Sequence, residues 1–301
     1  MANFFDSRLY AILIERYKEE TARSIARGYG MPRHVTMRVN TLKSDISHVK
    51  RCLDAASISY SDVPWYRDAL VISGASEDDI RALDIYTYGK IYLQNLSSML
   101  PPLLLEAKAE DCILDMAAAP GGKSAQIAAL TDNQAQLTLC EKDKIRTERL
   151  KFNMARQGVR AYVMNADATK LSDMFSFDKI LLDAPCSGSG TIRITDKGIS
   201  GAFSDKLLSN SVKLQKALLT KALTLLKAGG RLVYSTCSVL PDENCGVLSS
   251  VLPRFNADVL PISMDRFEGV PLLPSEIDGT VTVCPNGLYE GFFVAVIAKR
   301  P

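Results

Sequence analysis

The chain has 301 residues, 47% of them apolar and 23% charged, with 36 Lys and Arg against 34 Asp and Glu. That length suggests about two domains, the composition is that of an ordinary globular chain, and a net charge of +2 excludes a uniformly basic surface. The longest stretch free of Asp, Glu, Lys and Arg, Ile91–Leu105, holds Pro101 and Pro102 and is too short for a membrane helix, and the mixed charges of the opening residues argue against a secretory signal.

Apolar positions at helical spacing over Phe4–Arg27 (Leu9, Ile12, Leu13, Tyr17, Ile25) predict one or two opening helices. His34–Val39 reads as a strand, and Ser44 and Asp45 as the cap of a helix running to about Ala56. Two short strands near Ile58–Tyr60 and Ala69–Ile72 flank a Pro64-Trp65-Tyr66 turn. This small α+β unit ends near Tyr88-Gly89, which sets the expected domains at 1–88 and 89–301.

From Cys112 the grammar changes. Cys112–Met116, Leu137–Cys140, Ala161–Met164, Lys179–Asp183 and Arg231–Tyr234 are short apolar strands, with helical stretches such as Ser124–Leu130, Ile145–Gln157 and Asp205–Leu226 between them. Strands alternating with helices imply an α/β fold, a parallel sheet covered on both faces. Val281–Cys284 and Gly291–Lys299 read as a hairpin appended to that sheet, the last strand central because it is nearly all apolar. Ligands in such sheets bind beyond the carboxyl ends of the strands.

Seven cysteines, an odd number without a C-x-x-C pair, point to reduced thiols and a cytoplasmic location. With only His34 and His48 to join them, no zinc pattern exists and no metal is expected. Most of these thiols are expected to be small core residues.

The first strand runs into Asp115-Met116-Ala117-Ala118-Ala119-Pro120-Gly121-Gly122-Lys123-Ser124 and then a helix. Small residues let the backbone approach a ligand, and a helix N-terminus favours a negative group. Gly122-Lys123-Ser124 matches the end of a P-loop, with Ile180-Leu181-Leu182-Asp183 as its acidic strand, but Ala117 stands where that pattern needs glycine. A dinucleotide or S-adenosylmethionine pocket asks instead for an acid after the second strand, to hold ribose hydroxyls. Glu141 supplies it, and Asp167 follows the third strand, where it can meet an adenine amino group. Acids at successive strand ends suit a nucleoside better than a triphosphate.

The fourth strand ends in Asp183-Ala184-Pro185-Cys186-Ser187-Gly188, and the next long strand in Tyr234-Ser235-Thr236-Cys237-Ser238, followed by Pro241-Asp242-Glu243-Asn244. Two cysteines therefore emerge on the ligand-binding edge, where glycines or a following helix start can expose and activate a thiol. A thiolate beside a methyl-donor pocket suggests attack on carbon 6 of cytosine, which makes carbon 5 nucleophilic.

The segments 117–123, 183–188 and 234–244 together resemble the RNA cytosine-C5 methyltransferase family, whose members modify ribosomal and transfer RNA. Arg38–Lys43, Tyr92–Pro101 and Gly291–Ala295 are similar to it as well, so the likeness spans nearly the whole chain. It implies a Rossmann-like S-adenosylmethionine-dependent methyltransferase fold, with a mostly parallel seven-stranded sheet, a terminal antiparallel hairpin and a small α+β N-terminal RNA-binding domain. It implies Cys237 as the nucleophile, Cys186 as the residue that assists breakdown of the adduct, and Asp183 as the acid at the cytosine edge and near the cofactor. Ala117, Ala118, Ala119, Pro120, Gly121, Gly122, Lys123, Glu141 and Asp167 would hold S-adenosyl-L-methionine, with Arg146 a further candidate. Two positions depart from the family pattern: Phe203 stands where a Trp is frequent, and Cys245 where an acid is common. No added carboxyl-terminal RNA-binding module is apparent.

Local charge is consistent with an RNA partner: residues 1–50 hold nine Lys and Arg against five acids, and residues 193–231 eight against Asp196 and Asp205. The cytosine must be single-stranded or flipped out. Ribosomal RNA is expected ahead of transfer RNA, without a membrane or an obligate protein partner. A P-loop nucleotide hydrolase and a non-catalytic RNA-binding assembly factor remain as alternatives.

Overall fold

The computed structural model describes residues 2–196, 198–201 and 203–301. Helices α1 (Ala2–Phe5) and α2 (Arg8–Gly30) open the chain. Ser7 caps α2 by accepting from the Tyr10 amide at 3.2 Å, and Lys18, at φ 66° and ψ 167°, interrupts its helical run. A small unit follows: β1 (Val35–Val39), α3 (Ile46–Ala55), β2 (Ser59–Asp62), β3 (Ala69–Ser73), α4 (Glu77–Arg81), α5 (Asp84–Thr87) and β4 (Ile91–Leu93). Its strands form an antiparallel sheet in the order β2-β3-β1-β4. Asp45 caps α3 by accepting from the His48 amide at 2.8 Å. Alternation along the strands puts Met37, Val39, Leu70 and Ile72 on the face that packs against Val49 and Leu53 of α3.

The larger part contains α6 (Leu96–Leu105), β5 (Cys112–Asp115), α7 (Gly122–Leu130), β6 (Gln136–Glu141), α8 (Lys144–Gln157), β7 (Tyr162–Asn165), β8 (Phe177–Asp183), a hairpin of β9 (Arg193–Thr195) and β10 (Gly198–Ser200), α9 (Asp205–Leu225) and β11 (Leu226–Thr236). It ends with α10 (Cys245–Val251), β12 (Ala257–Leu260), β13 (Leu272–Leu273), β14 (Val281–Val283) and β15 (Phe292–Lys299). The main sheet runs β13-β14-β15-β11-β8-β5-β6-β7, parallel from β11 through β7 and antiparallel around β15. The terminal hairpin and the central place of the last strand are as the sequence predicts.

The sheet has nine strands rather than the expected seven, because β12 and β13 join it. Strand β12 pairs with β15 alongside Val296–Lys299, while β14 takes Phe292–Val294, so the two share one edge. Successive strand residues face opposite layers. Ile113, Leu181 and Val233 pack beneath α6, α7 and α8, while Leu114, Ile180 and Leu232 pack beneath α9 and α10.

Helix α6 carries Pro101 and Pro102 in its interior. Pro102 cannot donate to the Ser98 carbonyl; the Gln94 side-chain amide donates to it instead, at 3.1 Å. The expected junction at Tyr88-Gly89 does not follow the contacts. Strand β4, beyond it, is hydrogen-bonded to β1, and α2 packs through Leu13, Ile25 and Tyr29 on Ile192, Val239 and Leu240 of the larger part. Among the described residues no helix is long and apolar enough to cross a membrane, and no group of three His, Cys, Asp or Glu could hold a metal.

Candidate active site

Sheet order reverses at β5, whose neighbours are β6 and β8, and a crevice opens beyond the carboxyl ends there. Asp115 ends β5 and is buried; its carboxylate accepts from the Ser124 hydroxyl at 2.6 Å and from the Ala117 amide at 3.3 Å. Burial pushes this carboxyl up to about 6, against the pull of the Ser124 bond. The Ala117–Lys123 loop then turns into α7 through Gly121, at φ 108°, where only glycine is at ease. A β-carbon there would also meet the Met154 methyl at 2.4 Å.

Two cavities flank this loop and share Ala117. One is lined by Met116, Glu141, Ala166, Asp167, Pro185 and Leu218, so the expected acids bound an apolar slot. Glu141, 4% exposed, accepts from the Asp143 amide at 3.0 Å and lies 3.5 Å from Arg146. Arg146 also donates to the Ala119 carbonyl at 2.8 Å, which ties α8 to the loop. Asp167 caps a short turn, and its bonds to Thr169 hold its carboxyl below the usual range.

The second cavity, of about 270 Å³, is lined by Lys123 and Asp183 together with Tyr92, Gln94, Asn95 and Glu290. Lys123 donates to Asp183 at 2.8 Å and lies 5.5 Å from the centre of the Phe292 ring. Burial pulls its ammonium down, but the Asp183 carboxylate outweighs burial and leaves it above lysine's usual value. The other Asp183 oxygen accepts from Ser235 at 2.7 Å. Glu290 pairs with Arg33; burial lifts its carboxyl and Arg33 opposes the lift. Sequence reasoning assigned no site role to Tyr92, Gln94, Asn95 or Glu290. The charge-free run Ile91–Leu105, placed between two sheets, was the available signal for the first three.

Cys186 follows β8 and Cys237 follows β11, and their Sγ atoms lie 2.9 Å apart. Both thiols are free and half-buried. The bond to Cys237, burial and the nearby Glu243 carboxylate push Cys186 well above the usual thiol range, so it keeps its proton, and either sulfur can donate to the other. The glycines after Cys186 do not activate it, since its thiol is raised, and the helix expected after Cys237, α10, begins eight residues beyond it. Cys245 is buried among Ser275 and Thr280, away from both cavities. Phe203 packs against the α2 cluster.

The opening charge window is mostly engaged internally. Arg8, Arg16 and Arg33 pair with Asp205, Asp242 and Glu290, and Arg38 is wholly buried, with Nε 3.3 Å from Gln94. In the second window Lys221, Lys227 and Arg231 are paired, whereas Arg193, Lys206, Lys213 and Lys216 make no ion pair among the described residues. Charge counts alone overstated the first window.

Residues 102–298 match the family described as 16S rRNA methyltransferase RsmB/F. Ribosomal RNA small subunit methyltransferase F of Shewanella oneidensis is 35% identical over 276 residues, covering 89% of this chain and 58% of that protein. The same enzyme of Shewanella piezotolerans is 36% identical over 278 residues, with 89% and 58% covered. The chain thus spans little over half the length of these relatives. Among solved structures, a methyltransferase homolog protein from Pyrococcus horikoshii superposes with TM-score 0.82 at 32% identity, over 96% of this chain and 93% of that one. NSun6 from Pyrococcus horikoshii, solved with SFG, has the same fold, with TM-score 0.85 at 23% identity over 97% and 98% of the two chains.

Proposed function

Because this chain belongs to the RsmB/F family of RNA cytosine-C5 methyltransferases, we propose that it methylates carbon 5 of a cytosine in RNA, ribosomal ahead of transfer RNA, using S-adenosylmethionine. The residues around the Ala117 loop fit that cofactor. A carboxylate at the end of β6 suits a ribose diol, Asp167 suits an exocyclic amine, and the slot between Met116 and Leu218 suits a purine. Ala117–Lys123, Glu141, Asp167 and Arg146 would hold it, and bound there it supplies an electrophilic methyl group.

The remaining chemistry belongs to the protein. A flipped cytosine would lie between the Lys123–Asp183 pair of the second cavity and Cys237, whose sulfur is near enough to act on the Lys123 charge. Asp183 is then an acceptor for its amino edge and Lys123 a cation beside the ring. Cys237 Sγ, its proton released to solvent, bonds as the thiolate to carbon 6, and the displaced π electrons make carbon 5 the nucleophile. After methylation water takes the proton from carbon 5, that C–H electron pair re-forms the C5–C6 double bond, and the Sγ–C6 pair leaves on the sulfur as thiolate. Cys186 assists this release by donating to the departing sulfur.

The observation that carries this reading is the 2.9 Å approach of the two thiols beside the Lys123–Asp183 pair. The test uses S-adenosylmethionine and a 16S rRNA transcript, with covalent RNA adducts followed on denaturing gels. Cys186→Ala should accumulate an adduct, and Cys237→Ala should form none and transfer no methyl group. An adduct in the Cys237→Ala protein instead would reverse the two roles.

A further inference from the structure

The two cysteine side chains bond to each other, and the backbone on either side of them is held from outside. Residues on either side of each are held by two consecutive residues that follow the loop after β11. Glu243 is wholly buried. Its carboxylate accepts from the Ser187 amide at 2.7 Å and the Ser187 hydroxyl at 2.6 Å, immediately after Cys186. It also accepts from Gln215 of α9 at 3.2 Å, and the same amide group donates to the Pro185 carbonyl, immediately before Cys186. Asn244 does the matching task for Cys237. It accepts from the Thr236 hydroxyl at 2.6 Å and donates to the Ser238 carbonyl at 3.0 Å. Neither Glu243 nor Asn244 lines the cavities that flank the Ala117 loop.

We propose that Glu243 and Asn244 are positioning residues with divided duties: Glu243 fixes Cys186 for release of the methylated base, and Asn244 fixes Cys237 for attack. This rests on the assignment of the two cysteines made above. A buried carboxylate is costly unless fully hydrogen-bonded, and here each bond it accepts comes from the loop of Cys186 or from the glutamine that braces that loop. Among the described residues the Asn244 side chain bonds only to the residues flanking Cys237. Because the side chains diverge from adjacent backbone positions, one short segment sets the distance between two sulfurs from separate strands. The Tyr234 hydroxyl anchors that segment to β11 by donating to the Glu243 carbonyl at 2.6 Å.

The division is read from the ratio of trapped adduct to methylated product, which a general loss of stability does not shift in opposite directions. Glu243→Ala and Asn244→Ala are compared with Cys186→Ala and Cys237→Ala on a 16S rRNA transcript with S-adenosylmethionine. Glu243→Ala should lower turnover roughly tenfold while adduct accumulates, because a misplaced group costs rate without abolishing the earlier step. Asn244→Ala should lower adduct and product together, by a similar factor. Glu243→Gln keeps an acceptor oxygen and should restore most of the turnover. Ser187→Ala, a milder change on the same bond, should reproduce part of the accumulation even where Glu243→Ala folds poorly. Binding of S-adenosylmethionine checks that each variant is folded. If Glu243→Ala and Ser187→Ala lower adduct and product in parallel, as Asn244→Ala does, the division of duties is wrong. If Cys186→Ala itself traps no adduct, the cysteine assignment fails instead.

Discussion

Gly190 and Gly291 pass so closely that a β-carbon on Gly190 would lie 1.9 Å from the Gly291 carbonyl oxygen. The Gly291 amide donates to the Gly190 carbonyl at 2.9 Å, and the Gly190 amide donates to the Cys237 carbonyl at 2.9 Å. This crossing joins the loop after β8, the start of β15 and the backbone of Cys237. A methyl group at Gly190 meets backbone rather than a side chain that could rotate away, so the loops must separate. Overpacking of this kind costs about 1–3 kcal/mol. Gly190→Ala should lower the melting temperature and cut methyl transfer by more than roughly tenfold, because both thiols shift. Wild-type turnover in this variant would show that the crossing does not position the cysteines.

The sulfurs of Cys186 and Cys237, 2.9 Å apart, need move less than about 1 Å to reach the disulfide bond length of about 2.0 Å. Hydrogen peroxide takes a proton and an electron from each thiol, forming the disulfide and two waters. Mild peroxide should therefore close this pair ahead of the buried Cys140 and Cys245. Methyl transfer should stop and return with dithiothreitol. Peptide mass mapping that found Cys186 and Cys237 unlinked after inactivation would contradict the proximity.

The parallel strands were legible because each is a short apolar run closed by a polar residue at the crevice, as Leu137–Cys140 is by Glu141. Strand β12 was not, since Asp258 breaks its apolar run and its residues are only half-buried. Helix α6 was hidden by Pro101 and Pro102, whose lost hydrogen bonds count against a helix until burial and the Gln94 amide offset them. At the site, Asp183 ends β8, Cys186 and Cys237 follow β8 and β11, and Lys123 opens α7, the strand-end and helix-start positions that the sequence predicts. Glu290 reaches the cavity of Lys123 and Asp183 from another segment, and no local pattern announces that convergence. Composition counted Arg8 and Arg16 as available cations because pairing with Asp205 and Asp242 depends on the tertiary fold.

Glu141 and Arg146 make separable predictions for the cofactor. Glu141 is buried at the end of β6 and faces the apolar slot, whereas Arg146 is half-exposed and braces the loop through the Ala119 carbonyl. Loss of a hydrogen bond from a charged acceptor costs about 1.5–3 kcal/mol. Glu141→Ala should therefore weaken S-adenosylmethionine binding by roughly ten- to a hundredfold in calorimetry. Arg146→Ala should weaken it by less than about tenfold, since its charge is screened by solvent. Equal losses in the two variants would mean that Glu141 does not contact the cofactor.

Asp115 gives the apo protein a pH dependence of defined sign. Its carboxyl sits near 6 in the folded state against 3.8 for an ordinary aspartate. Between those values the folded chain holds a proton that the unfolded chain has lost, so raising the pH favours unfolding. The group's contribution is fully present below the unfolded value and is lost as the pH rises through about 6. At about 1.4 kcal/mol per pKa unit, the loss is on the order of 3 kcal/mol. Asp115→Asn keeps an acceptor for the Ser124 hydroxyl but does not titrate. Urea unfolding of both proteins at about pH 5 and about pH 7.5 isolates the term, because other carboxyls such as Glu290 titrate in each. The Asn variant should gain on the wild type by about 1.4 kcal/mol between the two conditions, since the rest of the loss falls below about pH 5. If the difference between the two proteins is the same at both pH values, Asp115 does not carry a raised pKa, and its burial is relieved by water entering from the adjacent cavity.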